Sequence, residues 1–336
     1  MQVKISQAIS MVTKYILAKL VPMLTGSPGC GKSQIIHQIA ADYDLKVIDL
    51  RLSQCDVTDL NGFPQILGNK AGYVPMDTFP VEGDAIPEGY SGWLLFLDEM
   101  NGAVPSVQAA AYKLVLDRMV GQHRLHKNVA IVCAGNLETD NGIVNPMPTP
   151  LQSRMVHLEL VVDQPEWNDW ANGRGLDHRI TSHMNFKPGN LYTFRPDHTD
   201  NTYACPRTWE FADRILKLED ITSKDMLPML AGTLSEGVAR EFLGYCKIFQ
   251  DLPTTQDIVR SPSTVRVPDE PSILFALTGS LAHHASTDNF APLVEYILRL
   301  PAKFQTVCMR EASRRNVLLK KHPAMQTWLT RMHALV

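Results

Sequence analysis

Gly26-Ser27-Pro28-Gly29-Cys30-Gly31-Lys32-Ser33 sets glycines and a Lys-Ser pair at the spacing G-x-x-x-x-G-K-[ST]. Glycines so placed let backbone N–H groups turn inward around phosphate oxygens, and a following helix adds the positive end of its dipole. Lys32 is positioned to reach the β- and γ-phosphates of ATP, and the Ser33 hydroxyl to ligate Mg²⁺. A functionless glycine-rich turn would meet the full pattern in roughly one such chain in a hundred.

About 65 residues further on, the apolar run Trp93-Leu94-Leu95-Phe96-Leu97 ends in Asp98 and Glu99. Such a run suits a strand covered on both faces, delivering its acids to the carboxyl edge of a sheet beside bound phosphates. Asp98 fits the Mg²⁺ shell through water, because Mg²⁺ keeps several waters. Glu99 fits a general base for the attacking water. The plain alternative, a strand capped by surface acids, loses weight because the run follows the glycine-rich loop. The second acid also separates a hydrolase from a small-molecule kinase, which has no water to activate. A third apolar run, Val129 to Ala134, closes on Gly135-Asn136. Gly-Asn alone is a common turn pair. After the two preceding motifs, Asn136 reads as an amide bonding the γ-phosphate and the lytic water.

Three arginines are candidates for stabilising transferred charge. Arg154, in Leu151-Gln152-Ser153-Arg154, precedes the last strand and is placed poorly for its own nucleotide but well for a neighbour's. Guanidinium donors match phosphate oxygens, and a trans arginine is worth about 10³–10⁵ in rate. Arg118, ending the helix at 107–118, is its rival. Arg207, in Cys205-Pro206-Arg207-Thr208-Trp209, opens a helix where a cation opposes the dipole, which favours a functional placement reaching the nucleotide from a helical lid. Arg310, Arg314, Arg315, Lys320 and Lys321 read as a solvated helix face. His283-His284 has no third ligand at metal spacing, and Phe63 and Tyr73 read as loop aromatics that pack.

The elements that must position these groups follow from periodicity. Ile5, Ile9, Val12, Ile16 and Leu20 mark one helical face. Strands are expected at 20–24, 46–50, 93–97, 129–134 and 155–162, with helices at 33–43 and 107–118. Residues 62–92, rich in Gly, Pro and Asp, read as an insertion or extended loop. Strands alternating with helices imply an α/β domain with a doubly wound, largely parallel sheet. Beyond about 165 helical periodicity dominates, with 253–271 expected as a packed loop or linker. The expected division is 1–164 for the nucleotide-binding domain (insertion about 60–92), 165–252 for a helical lid, and 253–336 for linker and C-terminal helices.

Composition is that of an ordinary globular protein: 336 residues, 45% hydrophobic, 20% charged, net charge −3. The balance argues against attachment to nucleic acid by bulk charge. Six cysteines show neither a C-x-x-C pair nor zinc spacing, which fits reduced thiols. With no secretory segment and no run of 18 apolar residues, a cytoplasmic protein is expected.

Together these motifs resemble the MoxR-like branch of AAA+ ATPases, in the group with an insertion within the second helix. The resemblance rests on GSPGCGKS, DVTDLNGFP at 56–64, LLFLDEMNGAVPSVQAAAYKLVLDRMVG at 94–121, VCAGN at 132–136, LQSRMVHLEL at 151–160 and PRTW at 206–209. It covers the first 210 residues; the rest follows as a generic helical lid and tail. It implies an αβα nucleotide domain with a helical lid and Mg²⁺-dependent ATP hydrolysis. It also implies hexameric rings that remodel or activate a partner protein, often one with a von Willebrand factor A domain. It places Gly62 and Phe63 at the start of the inserted segment, near a ring pore, and makes the hairpin around Gly121 to Lys127 shorter than in many relatives. Two other classes share the core: a nucleic-acid motor, disfavoured without a DNA-binding module or basic charge, and a nucleotide-gated scaffold, disfavoured by the intact Lys32, Asp98, Glu99 and Arg154.

Overall fold

A computed structural model describes residues 1–140 and 144–333. By its contacts the chain divides into two compact units: 1–162 with 195–197, and 163–194 with the residues from 198 onward.

The first unit runs β1 (Gln2–Val3), α1 (Ile5–Leu17), β2 (Val21–Thr25), α2 (Lys32–Asp42), β3 (Leu45–Arg51), α3 (Val57–Asn61), β4 (Phe63–Leu67), β5 (Lys70–Val74) and β6 (Gly92–Asp98). It continues with α4 (Pro105–Asp117), β7 (Met119–Val120), β8 (His123–Arg124), β9 (Val129–Gly135), α5 (Thr149–Gln152) and β10 (Met155–Leu160). Six strands form one parallel sheet in the order β1-β10-β2-β9-β6-β3. The period-two alternation of each strand divides its side chains between two cores. Met23, Leu95, Leu97, Ile131 and Cys133 pack with Val107, Ala111 and Leu114 of α4. Leu24, Leu94, Phe96, Val132 and Leu158 pack with Val12 of α1 and Ile35, Ile36 and Ile39 of α2. This is the expected α/β class, a parallel sheet with helices on both faces followed by a helical part.

Two segments expected as loops hold structure. Within 62–92, β4 and β5 pair as an antiparallel hairpin around Gly68 (φ +66) and Asn69. A two-residue Gly-Asn turn is a hairpin signal, but the flanking residues lack alternation because this ribbon buries little. Phe63, Ile66 and Tyr73 are 58%, 84% and 42% exposed, so the expectation that Phe63 and Tyr73 pack is overturned. Between Pro253 and Pro271 lies a short helix, Thr255–Arg260, nucleated by Thr254, whose hydroxyl accepts from the Asp257 amide at 3.1 Å, and anchored by fully buried Ile258.

The second unit is built from helices α6 (Gln164–Gly173), α7 (His178–Phe186), α8 (Pro206–Leu218), α9 (Met226–Leu234), α10 (Glu236–Cys246), α11 (Thr255–Arg260), α12 (Pro271–His284), α13 (Phe290–Ile297), α14 (Ala302–Arg315) and α15 (Pro323–His333). The basic stretch near 310 is largely exposed, with Lys320 and Lys321 at the surface as expected, but its arginines are engaged. Arg310 and Arg314 both pair with Asp169 of α6, at 2.7 and 3.2 Å, and Arg315 bonds the Leu176 carbonyl and the Thr181 hydroxyl. His283 does meet a third imidazole, with His178 stacked on it at 4.4 Å, yet no metal-ligating group of three forms among the described residues. No described helix is long and apolar enough to cross a membrane.

Candidate active site

Strand β2 is buried to its last turn and breaks into the glycine-rich loop, after which α2 starts at Lys32. Gly31, the N-cap, sits at φ 102, ψ 14, a conformation that a side chain would strain. A Cβ on Gly26 would lie 2.8 Å from Cys30 Sγ. The first helical bonds are made by Gln34 and Ile35 to the Gly31 carbonyl, so the amides of Lys32 and Ser33 precede the ladder at a positive helix end. Lys32 Nζ is folded into the loop, donating to the Gly26 carbonyl at 2.5 Å and to Asn136 Oδ1 at 3.0 Å. Burial pushes the Cys30 thiol up in pKa, partly offset by Lys32, leaving it a buried neutral packing group.

The sheet order places β9 between β2 and β6, so three neighbouring strand ends converge on one edge. Thr25 pairs with Gly135, and Leu97 with Cys133. Strands stand about 4.8 Å apart, which sets Lys32, Asn136 and the Asp98-Glu99 pair within one small volume. Asp98 is raised in pKa by burial, with the Glu99 amide at 2.8 Å and the charge of Lys32 opposing. Glu99 is left-handed at φ 54, ψ 36, strain of the kind that clusters at functional sites. Its carboxylate accepts the Ser53 hydroxyl.

Three residues of this constellation escaped the sequence reading. Ser53 follows β3 and has no motif around it. Asn101, only 5% exposed, clamps the Asn136 backbone reciprocally: its Nδ2 donates to the Asn136 carbonyl at 2.7 Å, and its Oδ1 accepts the Asn136 amide at 3.1 Å. A Cβ on Gly135 would come within 2.3 Å of that Oδ1, so the glycine makes room for the clamp. Its only sequence trace is a polar residue within an apolar stretch directly after the acids. Asp140 takes the Ser27 hydroxyl on Oδ1 at 3.0 Å, while its buried Oδ2 has no partner among the described residues.

The donor set fits Mg²⁺. One hydroxyl (Ser33) and one carboxylate (Asp98) stand at the loop and the strand end, the sparse oxygen set that Mg²⁺ takes when phosphates and water complete its shell.

The arginines lie elsewhere. Met155 pairs with Val21, so Arg154, just before it, sits at the amino edge of the sheet, the far end from Lys32. Arg154 is exposed; it donates to the Pro150 carbonyl at 2.6 Å and lies over the Tyr112 ring, 5.0 Å from its centre. Arg118 is half-buried and donates to the Val129 carbonyl, with its pKa lowered by desolvation. A guanidinium tied into its own sheet is the weaker candidate for reaching a neighbour. Arg207 is exposed in the first turn of α8, in the helical unit, near half-buried Glu210, whose pKa burial raises against Arg214, Arg174 and Arg207.

No protein-family model matches the chain, and no curated protein matches it. Among solved structures, the Thermotoga maritima RuvB Holliday junction branch migration motor is similar at 15% identity over 88% of this chain and 86% of that one, with a TM-score of 0.38. A candidate ATPase from Cytophaga hutchinsonii is 12% identical over 98% and 88%, TM-score 0.36. NtrX from Brucella abortus is 11% identical over 91% and 67%, TM-score 0.37. Likenesses this distant carry no argument about binding or activity, which rests on the residues above.

Proposed function

We propose that the chain is a Mg²⁺-dependent ATPase of the AAA+ type that hydrolyses ATP at the 26–33 loop. The observation carrying this reading is the convergence of Lys32, Asp98, Glu99 and Asn136 on one sheet edge, with Lys32 and Asn136 already bonded at 3.0 Å. When ATP enters, Lys32 exchanges the Gly26 carbonyl and Asn136 for the β- and γ-phosphates. Mg²⁺ at Ser33 and Asp98 would neutralise charge growing on the bridging oxygens. Asn136, held by Asn101, then has its amide free to orient the γ-phosphate and the water. Glu99 takes the proton of that water once it parts from Ser53.

In this reading the ring is the working form, and Arg154 reaches a neighbour's γ-phosphate. Its exposure at the sheet edge far from its own loop supports the role. The resemblance to MoxR-like ATPases makes the output remodelling or activation of a partner protein, with a von Willebrand factor A domain as the first class to try. The exposed Phe63, Ile66 and Tyr73 of the β4–β5 hairpin suit such a contact. Phosphate release by the purified chain with Mg-ATP is the test. Lys32→Ala should lose nucleotide binding, and Glu99→Gln should bind without turnover. Arg154→Ala should be inactive alone and regain activity when mixed with Glu99→Gln. Wild-type turnover in Glu99→Gln would remove the base assignment, and no recovery in mixtures would remove the trans arginine.

A further inference from the structure

At the amino edge of the sheet, opposite the glycine-rich loop, the C-terminal ends of α1 and α2 leave a cavity of about 600 Å³. Its walls are apolar, with Ile16, Leu20, Val21, Ile39, Leu45 and Ile131 among them. Leu17, Leu20 and Tyr43 at its mouth stay 72%, 48% and 47% exposed, so the fold does not cover this surface itself. Three cations stand around it: Lys19, Arg118 and Lys127.

We propose that this cavity binds a small apolar carboxylate, its hydrocarbon body against Ile16, Leu20 and Ile39 and its anionic head on Arg118 and Lys127.

Size, lining and charge each point there. A volume of this order with apolar walls and a few polar groups is the usual form of a small-molecule site. Arg118 is half-buried and gives one N–H to the Val129 carbonyl; among the described residues no carboxylate lies within ion-pair distance of it. A desolvated guanidinium without a counter-ion is relieved by an anion arriving from outside. Two of the three cations are also placed against backbone preference. Lys19 and Arg118 are left-handed at φ 59 and 54, as is Asp44 at 51 beside the lining Tyr43 and Leu45. All three terminate helices, where glycine would take this conformation without strain. At two of those positions the chain instead carries a long cationic side chain into the cavity rim.

Decanoate titrated calorimetrically into the full chain, below its micelle concentration, tests the site. One saturable site is expected, with methyl decanoate at least tenfold weaker. Arg118→Gln should weaken decanoate tenfold or more, and Thr13→Phe, which fills the cavity from α1, should abolish it. Should Arg118→Gln lower the melting temperature, the exposed Lys127→Gln carries the charge test, with a several-fold loss. Lys32→Ala should bind decanoate as well as wild type, because the site is independent of nucleotide chemistry. Equal affinity for acid and ester overturns the proposal. So does absence of saturable binding, or binding unaltered in both Lys127→Gln and Thr13→Phe.

Discussion

The hydroxyl of Ser53 donates to the carboxylate of Glu99, so the expected base is already engaged by a residue of the turn that follows β3. A hydrogen bond to a charged group is worth about 1.5–3 kcal/mol, and Glu99 must give this one up before it can take a proton from water. Ser53→Ala should therefore raise unstimulated ATP turnover about three- to tenfold with KM little changed. Steady-state phosphate release decides; a fall in turnover would mean that Ser53 orients the base rather than restrains it.

Asn101 acts on the site only through the backbone of Asn136. Removing it strands a carbonyl and an amide in a partly buried place, at about 1–3 kcal/mol. Asn101→Ala should lower the melting temperature and reduce kcat by about tenfold, while the Kd for ATP stays within twofold. Loss of binding in step with kcat would contradict this split.

Tyr112 lies under the guanidinium of Arg154. A cation–π contact at a partly exposed position contributes about 0.5–1 kcal/mol and restricts the side chain. Tyr112→Leu should cut assembled activity several-fold, and Tyr112→Phe, which keeps the ring, should restore it. If Phe and Leu behave alike, the ring does not position the arginine.

Asp140 holds a carboxylate against the loop expected to take phosphate. Like charges at this range repel, so ATP bound as proposed would bind against it. Asp140→Asn should tighten ATP about tenfold in a fluorescent-nucleotide titration without raising kcat. Weaker binding would instead assign Asp140 to shaping the loop through Ser27.

The helical unit should lose stability in acid through its buried histidines. His183 Nε2 accepts from Asn190 Nδ2 at 3.1 Å, and burial lowers its pKa to about 4. Burial also lowers His178, against the opposing charge of Asp177. Both folded pKa values lie below the unfolded value of about 6.5, so the unfolded chain binds more protons at lower pH. The contribution is complete above about pH 6.5 and disappears as pH falls toward 4; for His183 it amounts to about 3 kcal/mol. Trp209, whose ring centre lies 6.0 Å from that of His183, makes the unfolding visible by fluorescence. A urea midpoint that does not fall between pH 6.5 and 4.5 would refute this.

Legibility in the sequence followed burial. Strand β6 is apolar from Trp93 to Leu97 because both its faces are covered, and the run shows without any knowledge of its neighbours. The β4–β5 hairpin stayed hidden because its side chains face solvent on an isolated ribbon, leaving no alternation to read. Helix α11 stayed hidden because six residues hold too few turns for a period, although Thr254 and Asp257 spelled its start.

The sequence alone determined the glycine-rich loop, the acids ending β6, the amide after β9 and the α/β class. Each is written in contiguous residues, where conformational freedom, hydrophobic period and chemistry coincide. Only the tertiary structure decided what those groups touch. Ser53 lies 46 residues from Glu99, Asn101 35 from Asn136, and Ser27 113 from Asp140. The same holds for the separation of the arginines, Arg118 bound into its own sheet and Arg154 left exposed. The physical reason is the strand order: it inserts β9 between β2 and β6, so residues remote in the chain become neighbours at an edge that no local pattern encodes.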